Sequence, residues 1–93
     1  MNKVIWKYEL PIIGDSQVFL PIGAEILSIQ TQENKTMIWA LVGPNTKDKE
    51  ERYFEMFGTG HPIYCDMGID RRFISTIQLM DGQFVYHVFE RIN

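Results

Sequence analysis

Apolar and polar residues alternate along most of this chain, in short runs that turn residues separate. Between Lys3 and Leu10 every second residue is apolar, only Ile5 breaks the pattern, and Pro11 ends the run. A period of two residues is typical of a half-buried β-strand. Similar short runs lie at 17–20, 24–32, 36–42, 52–57, 73–79 and 84–89. The pattern therefore predicts six or seven short strands.

The runs at 24–32 and 36–42 predict a first hairpin, whose register depends on its loop. A three-residue loop would pair Ile29 with Trp39 and collect the apolar side chains on one face. A two-residue loop would set Trp39 opposite Ser28 and divide the apolar residues between both faces. We therefore predict the three-residue loop.

Asp81 and Gly82 predict a second hairpin, because both residue types tolerate the positive φ angles of a type I′ turn. With the turn there, Ile77 pairs with Tyr86. The predicted core face carries Phe73, Ile77, Leu79, Phe84, Tyr86 and Val88. The predicted outer face is mixed and carries Ile74, Thr76, Gln78, Val85, His87 and Phe89.

The remaining long segment, residues 58–72, reads as an irregular connection with at most one helical turn near 65–70. Ninety-three residues fit one domain, 1–93. The predicted fold is mainly β: a small antiparallel β-sandwich or partly open barrel of six to seven strands, with at most one short helix.

Composition and charge narrow the functional classes. Nine basic and twelve acidic residues give a net charge of −3, without the basic face that nucleic-acid binding requires. No apolar run is long enough to span a membrane, and the start of the chain lacks the pattern of a secretion signal. Cys65 is the only cysteine, so no internal disulfide can form. We expect a cytoplasmic protein with no direct nucleic-acid or membrane partner.

The segment Gly58, Thr59, Gly60 and His61 is the first candidate for a binding loop. Two glycines let backbone N–H groups approach an anion closely, and His61 could add a donor. A phosphate-binding loop, however, precedes a helix, and Pro62 argues against one here. The alternative is that both glycines supply positive φ where the chain leaves a strand.

Catalytic and metal chemistry find little support in the sequence. His61, Cys65, Asp66 and His87 lack the close pairing of zinc ligands, and no activating context for a cysteine nucleophile is visible. We therefore predict no enzyme activity, no metal and no cofactor. The strand carboxylates, Glu9, Glu25, Glu55 and Glu90, are expected on solvated faces, and Trp6 and Trp39 in the core.

Distinctive segments are spread along nearly the whole length of the chain. They are residues 6–11 (WKYELP), 23–28 (GAEILS) with Gln30, 39–42 (WALV), 58–62 (GTGHP), Phe73 and Ile74 with Thr76, Gln78 and Leu79, Asp81 and Gly82, and 87–90 (HVFE). In these segments the chain resembles a family of small uncharacterised proteins common in bacteriophages, prophages and the bacteria that carry them.

The resemblance implies a genomic setting in which small proteins often bind a host component. We expect a non-enzymatic binding protein that occupies a host protein, as an inhibitor of an antiviral defence system would. The alternatives are a small-molecule binder of a nucleotide or anion, and a minor virion assembly protein. Exposed edge strands make a homodimer a further possibility. The expected binding residues are Gly58, Thr59, Gly60, His61, Gln78 and His87.

Overall fold

A computed structural model describes residues 2–11, 15–64 and 68–92 of the chain. The described residues form seven strands and no helix. The strands are β1 (Val4–Glu9), β2 (Asp15–Pro21), β3 (Glu25–Gln32), β4 (Lys35–Val42), β5 (Lys49–Gly58), β6 (Arg71–Leu79) and β7 (Phe84–Arg91). All seven predicted strands are confirmed. Cys65 and the centre of the expected helical turn lie outside the described residues.

The strands form two antiparallel sheets and no closed barrel. The small sheet has the order β1-β4-β3, and the large sheet has the order β2-β5-β7-β6. All strand pairs within them are antiparallel. The predicted mainly-β class is therefore confirmed.

The inner faces of both sheets supply the hydrophobic core. Each fully buried aliphatic or aromatic side chain contributes about 1.5–3 kcal/mol through removal from water. The buried cluster consists of Leu10, Val18, Leu20, Ala24, Ile29, Ile38, Ala40, Val42, Phe54, Ile77 and Val88. Alternation along each strand places these residues inside and leaves their neighbours on the outer faces.

The two sheets approach each other along β3 and β6, where side chains bond to backbone. The hydroxyl Oγ of Ser75 donates to the carbonyl of Ile29 at 2.6 Å. Oγ1 of Thr31 donates to the carbonyl of Gln78 at 2.8 Å. These bonds satisfy carbonyl groups on two strands that do not pair in a backbone ladder, and they fasten one sheet to the other.

The first hairpin differs from the prediction, because its loop has two residues. Glu33 and Asn34 take φ angles of 51° and 62°, the left-handed pair that a type I′ turn requires. Trp39 consequently pairs with Ser28 and faces away from the core. The predicted three-residue loop is wrong.

A β-bulge explains how the two-residue loop still buries the apolar residues. The register of β3 against β4 shifts between Ile26 and Ser28, so Leu27 is inserted as an extra residue. The shift lets Ile29 lie fully buried while Ile26 packs against the same core. Leu27 is left 44% exposed. Strict alternation cannot predict that the residues facing the core change from even to odd positions at this bulge.

The second hairpin has the predicted register, with Ile77 opposite Tyr86. Asp81 and Gly82 have φ angles of 55° and 84°, and the N–H of Gln83 donates to the carbonyl of Met80 across them at 3.1 Å. The predicted turn is therefore confirmed. Met80 also has a positive φ, of 51°, and belongs to a second turn that overlaps the first.

The core face predicted for this hairpin is only partly correct. Ile77, Leu79 and Val88 are buried, and Tyr86 packs against the core. Phe73 and Phe84 are 54% and 48% exposed, so their predicted burial is wrong. Phe73 changes faces because a register shift between Phe73 and Ser75 sets it opposite Phe89. Phe84 is the first residue after the hairpin loop.

Both tryptophans are predicted in the core, and neither lies there. Trp6 pairs with the buried Ala40 and so points to the inner side, but it lies on the outermost strand of the small sheet and is 46% exposed. Trp39 alternates with the buried Ile38 and Ala40 and therefore lies on the outer face.

Candidate binding face on the large sheet

The predicted binding loop forms a tight turn at the end of β5. The N–H of His61 donates to the carbonyl of Gly58 at 3.0 Å, and Gly60 has a φ of 85°. A Cβ at Gly58 would lie 2.8 Å from Nδ1 of His61, so the imidazole packs directly on the glycine. Both glycines are thus required by the turn itself, Gly60 for its φ and Gly58 for the close approach.

His87 on β7 connects this turn to the face of the large sheet. Its Nε2 is hydrogen-bonded to Oγ1 of Thr59 at 2.7 Å, and its Nδ1 to Oγ1 of Thr76 at 2.9 Å. A hydroxyl can donate or accept, so both ring nitrogens are satisfied in either neutral tautomer. These two hydrogen bonds fix the orientation of the ring.

The structure brings five of the six predicted binding residues together at one end of this face. Gln78 is the exception. It lies two positions beyond Thr76 on β6, and its Oε1 would approach a Cβ at Gly82 to 3.2 Å. Gln78 therefore belongs to the hairpin tip rather than to the loop that begins at Gly58.

Three phenylalanines cross the outer face beside His87. The ring centroids of Phe57 and Phe89 lie 5.8 Å apart, and those of Phe73 and Phe89 lie 5.4 Å apart, both edge to face. Aromatic pairs in this geometry contribute roughly 0.5–1.5 kcal/mol beyond their area burial. The result is a continuous aromatic row over β5, β7 and β6.

A shielded ion pair lies against this row. Nε of Arg71 donates to Oε1 of Glu55 at 2.6 Å, and their side chains are 14% and 9% exposed. The guanidinium carbon lies 5.7 Å from the ring centroid of Phe57, within cation–π range. Nη1 of Arg71 also donates to the carbonyl of Tyr64 at 3.4 Å. The expectation that Glu55 lies on a solvated face is wrong.

The long connection between β5 and β6 therefore shields part of the sheet and leaves part accessible. Thr59 and Tyr64 contact the face through His87 and Arg71. Phe73 remains 54% exposed and Tyr64 72% exposed. We call the accessible surface the aromatic face and define it by Phe57, Tyr64, Phe73 and Phe89.

Comparison with known proteins gives one match. The family model described as Domain of unknown function (DUF7352) matches residues 1–93. The chain belongs to this family. No curated protein and no solved structure matches the chain. The family description names no activity, so a functional assignment within it has to come from the site.

A second candidate site of this DUF7352 member is polar and lies where β5 and β6 begin and β7 ends. A cleft of about 620 Å³ is lined by Glu50, Glu51, Arg52, Tyr53, Arg72, Glu90, Arg91 and Ile92. We call it the charged cleft. The hydroxyl of Tyr53 donates to Glu51, which raises the pKa of the tyrosine.

Glu90 forms the base of the charged cleft and is 3% exposed. Arg52 donates to both of its carboxylate oxygens, and Nη2 of Arg72 donates to Oε1 at 3.0 Å. The hydrogen bond from Arg52 raises the pKa of that guanidinium despite its partial burial. The expectation of a solvated Glu90 is therefore wrong.

Sequence reasoning missed the ion pairs and one member of the aromatic row. Alternation predicts Phe89 on the outer face and separates Phe57 from the buried Phe54. It assigns Phe73 to the wrong face because of the bulge. In the sequence, Arg71 lies in the connection that shows no periodicity, so no signal links it to Glu55.

The described residues contain no cluster of three or more His, Cys, Asp or Glu side chains arranged to hold a metal ion. They also contain no helix that could cross a membrane.

Proposed function

We propose that this chain is a non-enzymatic binding protein that occupies another protein through its aromatic face. The observation that carries the proposal is the exposure of Phe73, whose ring packs on Phe89 in the row that includes Phe57. Tyr64 is also exposed, and its carbonyl accepts from the Arg71 guanidinium that lies over Phe57. Aromatic residues and arginine are enriched in the central residues of protein interfaces. The aromatic face presents such aromatic residues on one side of the large sheet, with Arg71 packed over Phe57.

The aromatic face is held in place before any partner arrives. Edge-to-face contacts restrain Phe89 from both sides, and Glu55 together with the Tyr64 carbonyl fixes Arg71. Side chains that are already ordered lose less conformational entropy on association. A partner would therefore gain contact area at low cost.

The proposed partner is a host protein, and the proposed effect is inhibition of an antiviral defence system. The resemblance to proteins of phages and prophages supports this setting. The net charge of −3 favours a partner with a basic surface, such as a nuclease or its complex, because opposite charges accelerate encounter. The proposal includes a cytoplasmic location, where such a partner would be met.

Affinity capture from a host lysate tests the proposal with three forms of the protein. Phe73→Ser removes an exposed ring from the aromatic face, and Phe19→Ser removes a ring of similar exposure from β2, 58% against 54%. We expect the wild type and Phe19→Ser to retain a stoichiometric partner. We expect Phe73→Ser to lose it.

The same three forms should then be expressed in cells that carry the matching defence system. Wild type and Phe19→Ser should restore phage plating, and Phe73→Ser should not. Equal capture and equal plating by all three forms would exclude the aromatic face. Absence of any partner, with no effect on plating, would contradict the proposed function itself.

A second candidate function, capture of a nucleotide or another anion, is favoured by the charged cleft. Arg72 is 59% exposed, and a guanidinium has five N–H donors, more than its contact with Glu90 uses. In the loop at 58–61, by contrast, the N–H of His61 is already bonded to Gly58. The charged cleft is therefore the better anion site.

Thermal unfolding in the presence of ATP, GTP and inorganic phosphate tests this candidate. A ligand at 100 times its Kd stabilises the protein by about 2.7 kcal/mol. A shift that Arg72→Gln abolishes and His61→Ala leaves intact would place the ligand in the charged cleft. The reverse result would place it in the loop, and no shift with any of the three probes would exclude the candidate.

A further inference from the structure

β1 is an edge strand whose second side has no backbone ladder in the described structure. It pairs with β4 and ends the order β1-β4-β3. The edge of β3 at the other end of the small sheet is fastened to β6 by side chains. An open edge presents unpaired N–H and C=O groups and is a template for a further strand.

Apolar side chains accompany this open edge on both sides of the sheet. Ile5 on the outer side is 57% exposed, and Trp6 on the inner side is 46% exposed. Val4 and Tyr8, the inner neighbours of Trp6, pack against the core. The apolar inner surface thus extends to the edge of the sheet and is not covered there.

We propose that a second copy of this chain adds to this edge, with β1 pairing antiparallel to the partner's β1 around Trp6. In this register each residue i lies opposite residue 12 − i of the partner, since the two Trp6 residues face each other. Lys3 then lies opposite the partner's Glu9, and by symmetry the opposite charges meet twice.

The same register also matches the two faces of the strand. Val4 lies opposite the partner's Tyr8, and both are inner residues. Ile5 lies opposite the partner's Lys7, and both are outer residues. Trp6 gains the partner's Trp6 as a neighbour, so the exposed inner surface becomes covered. The small sheets of the two copies join into one continuous sheet.

Neighbouring registers are disfavoured by charge or by the alternation of faces. Pairing around Ile5 sets Lys3 opposite the partner's Lys7, and pairing around Lys7 sets that residue opposite its own copy. Like charges directly opposite each other destabilise a strand pair. Registers that pair an odd-numbered with an even-numbered residue, such as Ile5 with the partner's Trp6, place inner residues opposite outer ones. Among the registers centred on Ile5, Trp6 and Lys7, charge therefore selects pairing around Trp6.

Charge-exchange variants test this register directly. In Lys3→Glu and in Glu9→Lys, each alone, both attractive pairs become repulsive, and we expect the dimer Kd to rise by roughly tenfold or more. A 1:1 mixture of the two variants restores opposite charges at both pairs. The double variant Lys3→Glu/Glu9→Lys restores them as well.

Light scattering and sedimentation over a concentration series give the readout. Wild type, the double variant and the mixture should reach twice the monomer mass of 10.9 kDa, while each single variant stays largely monomeric. Recovery in the mixture also shows that neither single variant is misfolded. A monomeric wild type, or a dimer that none of these exchanges alters, would overturn the proposal.

This dimer is independent of the proposed function, because the aromatic face lies on the large sheet and β1 belongs to the small one. Phe73→Ser should leave the dimer mass unchanged. Lys3→Glu should still capture the same host partner. The two proposals can therefore fail separately.

Discussion

At the scale of single residues, burial and pairing depend on which side chains meet in space. Glu90 and Glu55 are expected on solvated strand faces, yet both carboxylates are shielded and bonded to arginine. Arg52 and Glu90 are separated by 38 positions in the chain. Sequence alone cannot predict such a pair, because long-range strand order decides it.

Replacement of Glu90 by Gln should destabilise the protein by about 3 kcal/mol, because Arg52 would remain shielded without its counter-charge. The side chain of Arg52 is 14% exposed. Arg72 is the other arginine that contacts Glu90, and its side chain is 59% exposed. Arg72→Gln should therefore destabilise the protein by less than about 1 kcal/mol. Urea unfolding gives both free energies, and equal losses would contradict this account.

At the scale of elements, periodicity predicts where the strands lie but not every phase within them. All seven runs with a period of two became strands, and the turn at Asp81 and Gly82 was predicted correctly. Two of the errors, in the register of the first hairpin and in the face of Phe73, accompany a bulge in the same strand. A bulge adds one residue without a distinctive sequence, so strict alternation misplaces the residues on its far side.

The two-residue turn at Glu33 and Asn34 gives an element-scale prediction. Glu33→Gly should stabilise the protein by about 0.5 kcal/mol. Glycine removes the strain of the left-handed φ in the folded state, and the greater entropy that it gives the unfolded chain offsets only part of this gain. Asn34→Gly also keeps the turn but loses the bond from Met80 N–H to Asn34 Oδ1, at 2.9 Å. It should cost about 0.5–1 kcal/mol.

Chemical denaturation of both variants checks these opposite signs. A destabilising Glu33→Gly would show that the Glu33 side chain contributes more than its backbone strain costs. A neutral Asn34→Gly would show that its contact with Met80 does not stabilise the hairpins.

At the scale of the whole molecule, the candidate binding face arises from elements that the sequence keeps far apart. The loop at 58–61 and the hairpin face around His87 were both chosen from the sequence, and the bond between Thr59 and His87 joins them. Whether they bind a partner stays a prediction. The aromatic row could not be predicted in full, because it needs the order β5-β7-β6 and the bulge at Phe73.

We expect the shared core and the bonds between β3 and β6 to make the two sheets one cooperative unit. Both tryptophans lie in the small sheet, on β1 and β4, so their fluorescence reports that sheet. Ser75 lies in the large sheet and donates to the carbonyl of the buried Ile29. Ser75→Ala leaves that carbonyl without this donor and should cost about 1–2 kcal/mol.

If the two sheets unfold together, this loss should appear equally in tryptophan fluorescence and in far-ultraviolet circular dichroism, although the substitution is in the other sheet. Thr31→Val removes the more exposed bond between β3 and β6 and should produce a smaller loss by both probes. A fluorescence midpoint that stays fixed while the dichroism midpoint falls would show that the sheets unfold separately. The small sheet would then be a stable unit in its own right, held to the large one by its edge alone.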